Sequence, residues 1–166
     1  MHESAKNKNL SKNINDDLIY RKATLKDLSA IVSLLVEDEL GQNRELQTEQ
    51  LDQRYIEAFY QINADENQYL MVVDYKGEIV ATCQLTIIPS LTFIGSARIQ
   101  IEAVRVSKKY RGQKMGEWMI TAAISYGKSK GALIAQLTTN KKRLKAKNHQ
   151  SYTKKTRKIL LHFPGM

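Results

Sequence analysis

The sequence contains little of what would place a chain in an oxidising compartment or in a membrane. Cys83 is its single cysteine, so no intrachain disulfide can form, and its position in an apolar strand pattern favours a small buried residue over a nucleophile. No apolar run approaches the roughly 18 residues that a membrane helix needs. Residues 1–17 hold no apolar h-region, so no secretory signal is expected. We therefore expect a cytoplasmic protein without a membrane partner.

Metal-ligand spacing is also missing, because the three histidines and the cysteine are scattered along the chain. No metal site is expected.

Acidic residues are missing from the last part of the chain. The first 140 residues carry 17 basic and 17 acidic side chains, and the whole excess of +9 lies after Asn140. A basic tail can bind polyanions non-specifically, but only Tyr152 and Phe163 are available there for base stacking. Nucleic acid is therefore not the favoured partner, and a solvated, poorly ordered segment is the favoured interpretation.

Hydrophobic periodicity predicts an α/β (α+β) domain at 18–140, preceded by a disordered polar lead-in at 1–17. Strands are predicted at 18–21, 69–75, 78–88, 97–106 and 132–138, with a loop at Pro89–Gly95. Helices are predicted from Thr24 to Gly41, from after Thr48 to about Ile62, and from the basic turn near 111 to about Lys130, with Thr24 and Asp27 as a capping-box-like pair. The last strand–helix–strand unit should be right-handed with parallel strands.

The most informative segment is Val104–Gly116, which reads as a buried strand, a basic turn and the start of a helix. A helix start leaves backbone N–H groups without intrahelical partners, and together with the positive helix end these donors favour a phosphate. Arg111 and Lys114 add positive charge at that position. The segment predicts a diphosphate cradle, and a basic βα loop with ordinary turn glycines is the alternative.

From the third long strand onward the chain resembles the Gcn5-related N-acetyltransferase (GNAT) superfamily, in particular small bacterial members. The family motif Arg/Gln-x-x-Gly-x-Gly/Ala, which binds the diphosphate of acetyl-coenzyme A, reads here Arg111-Gly112-Gln113-Lys114-Met115-Gly116. The strand Gln100–Val106 and the element order from 18 to 138 are also similar. The resemblance implies the acyl-CoA N-acyltransferase fold, a mixed twisted sheet whose central strands splay apart, often at a bulge.

The resemblance implies that acetyl-CoA binds along Val104, Arg105 and Val106 and on residues 111–116. Lys114 departs from the motif, which has glycine there. If the position needs φ > 0, a side chain costs on the order of 1 kcal/mol. The favoured alternative is a helical φ/ψ with the Lys114 amine paired to a phosphate.

Acetyl transfer needs a neutral amine and a proton for the departing thiolate. Glu102 is the candidate base, with Gln100 on the same strand face, and pairing of Glu102 with Arg98 or a lysine is the equally favoured alternative. By family position, Tyr152 is the candidate acid and Asn140 a candidate cofactor contact. Tyr152 comes two residues late, however, and the family's Leu-Gly-Phe ending is absent.

That absence marks 141–166 as an atypical basic segment, expected to be partly disordered or incomplete. A short final strand at 159–163 is one alternative, and an incomplete sheet whose edge is covered by a second copy, as in a homodimer, is another.

The leading hypothesis is an acetyl-CoA-dependent N-acetyltransferase in which a primary amine of a small molecule, or another amino group, attacks the thioester directly. The amine would enter between the first two helices, where Tyr55, Tyr60 and Glu37–Glu39 are candidate lining residues, with core packing or solvated surface as the alternative for each. Two other hypotheses stand: a non-catalytic CoA-binding or regulatory domain, and a basic nucleic-acid-binding module acting through the tail.

Overall fold

The computed structural model describes residues 14–37, 45, 50–140 and 156–162, of which 138–140 and 156–162 are described by their backbone. In chain order the elements are β1 (Leu18–Lys22), α1 (Leu28–Val36), α2 (Gln53–Ala64), β2 (Gln68–Tyr75), β3 (Glu78–Ile88), α3 (Thr92–Gly95), β4 (Ala97–Val106), α4 (Met115–Ser129), β5 (Ala132–Asn140) and β6 (Thr156–His162). Short 3-10 turns lie at Ile14–Asp17, Leu25–Asp27 and Lys108–Tyr110.

The strands form one mixed sheet in the order β1-β2-β3-β4-β5-β6. Every neighbouring pair is antiparallel except β4 and β5, which are parallel and joined by α4. The predicted α/β class and the parallel β4–α4–β5 unit are therefore confirmed. None of the helices in the described part of the chain has the length and hydrophobicity of a membrane span.

The two faces of the sheet carry separate hydrophobic clusters, because successive strand residues point to opposite faces. Met71, Ile99 and Ile101 belong to the cluster under α4, which also contains Met115 and Met119. On the opposite face the sheet residues Leu70 and Val72 pack with residues of α1 and α2, among them Leu28, Ile31, Val32 and Phe59. One helix thus covers one face, and two helices cover part of the other.

Gly127 sets how closely α4 approaches the sheet. A Cβ on this residue would lie 2.7 Å from Ile99 Cγ2 and 3.0 Å from Ile99 Cβ. Because real Cβ atoms do not approach a branched side chain so closely, the packing of α4 on β4 depends on glycine here.

The predicted first helix is shorter than expected and begins with a 3-10 turn. The Thr24 N–H donates to Asp27 Oδ2 at 2.7 Å, as the predicted capping pair requires. The second helix begins at Gln53, after Asp52, whose side chain accepts a hydrogen bond from the Arg54 N–H at 2.9 Å. The predicted loop at 89–95 contains the single turn α3, in which Phe93 and Ile94 have φ of 53° and 58°.

The sheet does not stop at β5. β6 pairs antiparallel with β5 from Asn140↔Thr156 to Ile134↔His162. The short final strand predicted at 159–163 is confirmed for its described residues 159–162, and the alternative of an incomplete sheet at this edge is wrong, since this strand of the same chain covers β5. The reason for expecting a second copy at that edge therefore does not hold.

Candidate active site

The site is built around a β-bulge in β4. Glu102 pairs with Gln84 of β3, whereas Arg105 pairs with Thr82, so two residues of β4, Ala103 and Val104, stand against one residue of β3. Ala103 has φ of 50°, a left-handed value that is uncommon for a residue with a side chain. The strand therefore changes its alternation at this residue.

The bulge decides which face each later side chain takes. Before it, Ile99 and Ile101 lie in the cluster under α4; after it, Val104 and Val106 pack against that same cluster, which an unbroken alternation would not allow. Ala103 instead lines a cavity on the face of α1 and α2. The change in which face of the sheet the side chains of β4 take thus occurs after Glu102 and Ala103.

The parallel ladder between β4 and β5 ends at the bulge. It runs from Ala97↔Ala132 to Ile101↔Leu137, and beyond these residues β5 continues to Asn140 in register with β6 rather than β4. The second half of β4, which contains Val104, Arg105 and Val106, thus separates from β5. The splayed central strands expected from the resemblance are present, and they open an edge to which an extended ligand can add like a strand.

The basic turn after β4 leads into α4 through two left-handed residues. Gly112 has φ of 80° and Lys114 has φ of 59° and ψ of 10°, and Lys114 is the N-cap of α4. The expected helical φ/ψ at Lys114 is therefore wrong. The turn reverses the chain over Arg111–Lys114, and this tight reversal puts a lysine in the conformation that glycine adopts at no steric cost.

The start of α4 presents backbone donors and positive charge together. The first intrahelical hydrogen bond runs from the Trp118 N–H to the Lys114 carbonyl at 3.0 Å, so the N–H groups of Met115 and Gly116 precede it. Arg111 is exposed, and its Nε donates to the Val106 carbonyl at 3.2 Å. A Cβ on Gly116 would meet Val106 Cγ2 at 3.7 Å, which is an ordinary contact. The arrangement suits a phosphate group.

Two carboxylates hold the loop between β4 and α4 in place. Glu37, at the end of α1, accepts a hydrogen bond from the Lys108 N–H at 2.8 Å. Glu78 accepts from the Tyr110 hydroxyl at 2.7 Å and from Lys109 Nζ at 3.1 Å. The Tyr110 hydroxyl, followed by the Lys109 ammonium, lowers the pKa of Glu78. Glu37 therefore anchors this loop, a role that differs from the expected lining of the acceptor site.

Glu102 is half-buried and accepts a hydrogen bond from Gln100 Nε2 at 3.0 Å. These two residues share a face of β4, as predicted, and Glu102 pairs with Gln100 rather than with Arg98 or a lysine. Gln100 belongs to a polar row across four strands, since Gln68 pairs with Thr86, Thr86 with Gln100, and Gln100 with Gln136. Glu102 lies one step along the same face, next to Gln84.

A cavity of about 110 Å³ lies between α1, α2 and the sheet, and Gln84, the cross-strand partner of Glu102, lines it. Its lining is dominated by apolar side chains from both helices, including Leu28, Val32 and Phe59, together with the bulge residue Ala103. Tyr55 lines this cavity, as was proposed for the acceptor site, whereas Tyr60 is 55% exposed and packs edge-on against Phe59.

Cys83 is buried, and burial raises its pKa to about 12, so it is a neutral thiol rather than a nucleophile at ordinary pH. Tyr152 lies outside the described residues, as do Asp38 and Glu39. Asn140 is the last residue of β5, and only its backbone is described. Within the described ranges no group of three potential ligands is arranged to hold a metal ion.

Sequence reasoning missed the residues whose importance depends on pairing between strands. Gln84, Gln68 and Gln136 join Gln100 and Glu102 only through the register of the sheet. Nothing in the sequence indicated a bulge at Ala103, because an alanine within a predicted strand is an ordinary residue. Glu45, ten residues before Tyr55, accepts a hydrogen bond from the Tyr55 hydroxyl at 2.8 Å.

Comparison with known proteins is consistent with this geometry. The sequence model of the acetyltransferase (GNAT) family matches residues 30–149. No curated protein matches the chain. The crystal structure of a transcriptional regulator from Bacillus halodurans C-125 is similar at 35% identity and a TM-score of 0.75, over 88% of this chain and 99% of that one.

Two more distant structures have the same fold. One is glucosamine-6-phosphate N-acetyltransferase from Arabidopsis thaliana, at 20% identity and a TM-score of 0.62, over 83% of this chain and 97% of that one. The other is a predicted acetyltransferase with acetyl-CoA from Clostridium acetobutylicum, at 18% identity and a TM-score of 0.59, over 82% of this chain and 94% of that one.

Proposed function

The chain belongs to the GNAT acetyltransferase family, and from this premise we propose that it transfers the acetyl group of acetyl-CoA to a primary amine of a small molecule. The observation that carries the proposal is the bulge at Ala103, which separates β4 from β5 directly before the left-handed turn into α4. A cleft between strands thus leads to a phosphate-binding helix start.

The residues present fit acetyl-CoA. The left-handed turn at Gly112 and Lys114 leaves the N–H groups at the start of α4 available to a diphosphate, and Arg111 adds charge. We propose that residues 111–116 hold the diphosphate, that the backbone of Val104, Arg105 and Val106 holds the pantetheine arm, and that Asn140 contacts the cofactor from β5. When bound, acetyl-CoA supplies an activated thioester.

The chain's own residues supply the proton transfers. Glu102 is proposed to accept the proton that the attacking amine loses, with Gln100 orienting the carboxylate through the hydrogen bond of 3.0 Å. Tyr152 is proposed to donate its phenolic proton to the departing group. The loop anchors Glu37 and Glu78 keep the phosphate-binding turn in position relative to the sheet.

The proposal assigns residues 18–140 as the acetyltransferase core, 1–17 as a lead-in and 141–166 as a basic end segment that includes β6. It also keeps the cytoplasm as the location of the protein, since a buried free thiol at Cys83 suits a reducing compartment.

Release of the coenzyme A thiol in the presence of acetyl-CoA and primary amines tests the reaction directly. Arg111→Ala is expected to weaken coenzyme A binding about tenfold by calorimetry, because it removes a cation beside the diphosphate. Lys130→Ala, which removes a cation at the other end of α4, is the matched control. Equal affinities of the two variants would contradict the proposed position of the diphosphate.

A second candidate function is supported by one comparison. The similar structure from Bacillus halodurans is described as a transcriptional regulator, so a non-catalytic, coenzyme A-binding regulatory role is the alternative. Coenzyme A binding without turnover of any amine would favour it. Salt-dependent DNA binding that is lost when residues 141–166 are removed would favour a nucleic-acid role instead.

A further inference from the structure

We propose that the acceptor is a primary monoamine carrying a compact apolar group, which occupies the cavity between α1, α2 and the bulge of β4. This inference rests on the proposed acetyl transfer and names the class of amine. Its starting point is the composition of the lining: Leu28, Ile31, Leu35 and Ile62 contribute aliphatic surface and Phe59 an aromatic ring. None of the described residues that line the cavity carries a charge.

The few polar atoms of the lining are already engaged with the protein. Thr82 Oγ1 donates to the Met71 carbonyl at 2.8 Å, and the Tyr55 hydroxyl donates to Glu45 Oε2 at 2.8 Å. Gln84 Nε2 donates to Gln68 Oε1 at 3.0 Å. A sugar hydroxyl placed here would lose its water partners and find few replacements, which is unfavourable. An alkyl group has no hydrogen bonds with water to lose on entering, and burying its apolar surface is favourable.

The size of the cavity limits the group. A cavity of about 150 Å³ lined by Leu, Ile and Phe accepts benzene. The cavity here has about 110 Å³. It therefore suits a branched alkyl group of about four or five carbon atoms and excludes a bicyclic ring.

Gln84 and Ala103 place the nitrogen of the amine at the end of this cavity that lies nearest to Glu102. Gln84 lines the cavity and pairs directly with Glu102, and Ala103 follows Glu102 along the strand. An amine whose alkyl group lies under α1 and α2 would thus have its nitrogen toward the Glu102 side, where β4 opens from β5. The cavity and the proposed base are neighbours because Gln84 and Ala103, which both line the cavity, adjoin Glu102 across and along the strand.

The experiment measures coenzyme A release by the full chain with 3-methylbutylamine, ethanolamine, putrescine and glucosamine. We expect kcat/KM for 3-methylbutylamine to exceed that for each of the others at least tenfold, because only it buries its whole alkyl group. Turnover with putrescine or glucosamine as the best acceptor would overturn the inference while leaving the acetyltransferase proposal standing.

Filling the cavity provides the matched test. Ala58→Phe, on the partly open side formed by α2, should lower kcat/KM for 3-methylbutylamine at least tenfold and leave KM for acetyl-CoA unchanged. Ala64→Phe, at the exposed end of α2, is the control and should change neither value. Leu35→Ala enlarges the cavity and should raise kcat/KM for 2-phenylethylamine relative to 3-methylbutylamine. If Ala58→Phe and Leu35→Ala both behave like the wild type, the cavity does not bind the acceptor.

Binding separates the two proposals when there is no turnover. If no amine in the panel is acetylated, the proposed reaction fails, and calorimetry with 3-methylbutylamine in the presence of coenzyme A decides about the cavity. Binding to the wild type and to Ala64→Phe but not to Ala58→Phe would support the cavity as an amine site. Absence of binding to all three proteins would overturn it.

Discussion

Glu102 of β4 lies directly across from Gln84 of β3, and this pair is the last regular one before the bulge at Ala103. The carboxylate therefore stands where three features meet: the polar row of the sheet, the apolar cavity under α1 and α2, and the point where β4 separates from β5. The proposed role of Glu102 as base therefore requires the amine to approach through the cleft between the strands.

Glu102→Gln should lower kcat for the preferred amine about 100-fold, since a positioned general base contributes roughly that factor or more. The fold should be unaffected, because the Gln100 amide can still donate to the carbonyl oxygen of the new side chain. Steady-state rates at saturating acetyl-CoA measure the effect, and KM for acetyl-CoA should stay constant. Glu57→Gln, on the exposed side of α2, is the control, and an unchanged kcat in Glu102→Gln would exclude Glu102 as the base.

Lys114→Gly should raise the free energy of unfolding by about 1 kcal/mol, because it removes a side chain from a left-handed conformation. Urea denaturation measures the change. Lys128→Gly, inside α4, is the matched control and should lower the free energy of unfolding by about 1 kcal/mol. Coenzyme A should bind the glycine variant no more tightly than the wild type, since the turn already has the glycine-like conformation and a cation is lost.

Gly127→Ala should destabilise the protein by about 1–3 kcal/mol, because the new methyl group would overlap Ile99 and force α4 away from β4. Gly116→Ala on the same helix is the comparison, since its Cβ would make only an ordinary contact with Val106. Thermal and urea unfolding should show a large loss for the first variant and a change below about 0.5 kcal/mol for the second. Equal losses would contradict the close packing at Gly127.

Asp27 should make stability depend on acid pH. The side-chain hydrogen bonds from Arg21, at 2.7 and 2.8 Å, and then those from Thr24 hold the pKa of Asp27 well below its usual range although burial opposes this. A carboxyl with a depressed folded pKa contributes its full stability above the unfolded value near about 4 and loses it as pH falls toward the folded value.

Asp27→Asn should therefore cost about 2 kcal/mol of unfolding free energy at neutral pH, which is below the range for fully buried pairs because Arg21 is partly exposed. The difference from the wild type should shrink as the pH is lowered below about 4. Urea denaturation of both proteins at neutral pH and below about pH 4 measures this difference in unfolding free energy. Asp16→Asn, at an exposed carboxylate, is the control, and a difference that stayed constant with pH would refute the role of Asp27.

Cys83 should resist alkylation in the folded protein. Its side chain is 1% exposed and burial raises its pKa to about 12, so thiolate is scarce and inaccessible at pH values near 8. Iodoacetamide followed by mass spectrometry should show no modification until urea unfolds the chain. A cysteine introduced by Gln61→Cys, on the exposed side of α2, should react without urea. Rapid reaction of native Cys83 would show that the strand opens readily.

Much of the fold was predictable because its elements carry strong local signals. The alternation of Arg98, Gln100 and Glu102 with Ile99 and Ile101 predicts β4 from its side-chain period alone. Gly131 and the apolar spacing likewise predict that α4 ends at about Lys130, and in the structure it ends one residue earlier, at Ser129. In the tail, the short strand predicted at 159–163 coincides with most of β6, but its start at Thr156 and its pairing with β5 were not predicted, because they depend on the register between the two strands.

The sequence by itself determined the order of strands and helices, the basic turn before α4 and the family, because side-chain periodicity and turn residues act over a few neighbouring positions. Tertiary structure alone decided the bulge at Ala103, the left-handed backbone of Lys114 and the cavity beside Glu102. Each of these depends on how distant segments align: one extra residue of β4 against β3 turns Val104 and Val106 toward α4, and leaves Ala103 facing the cavity.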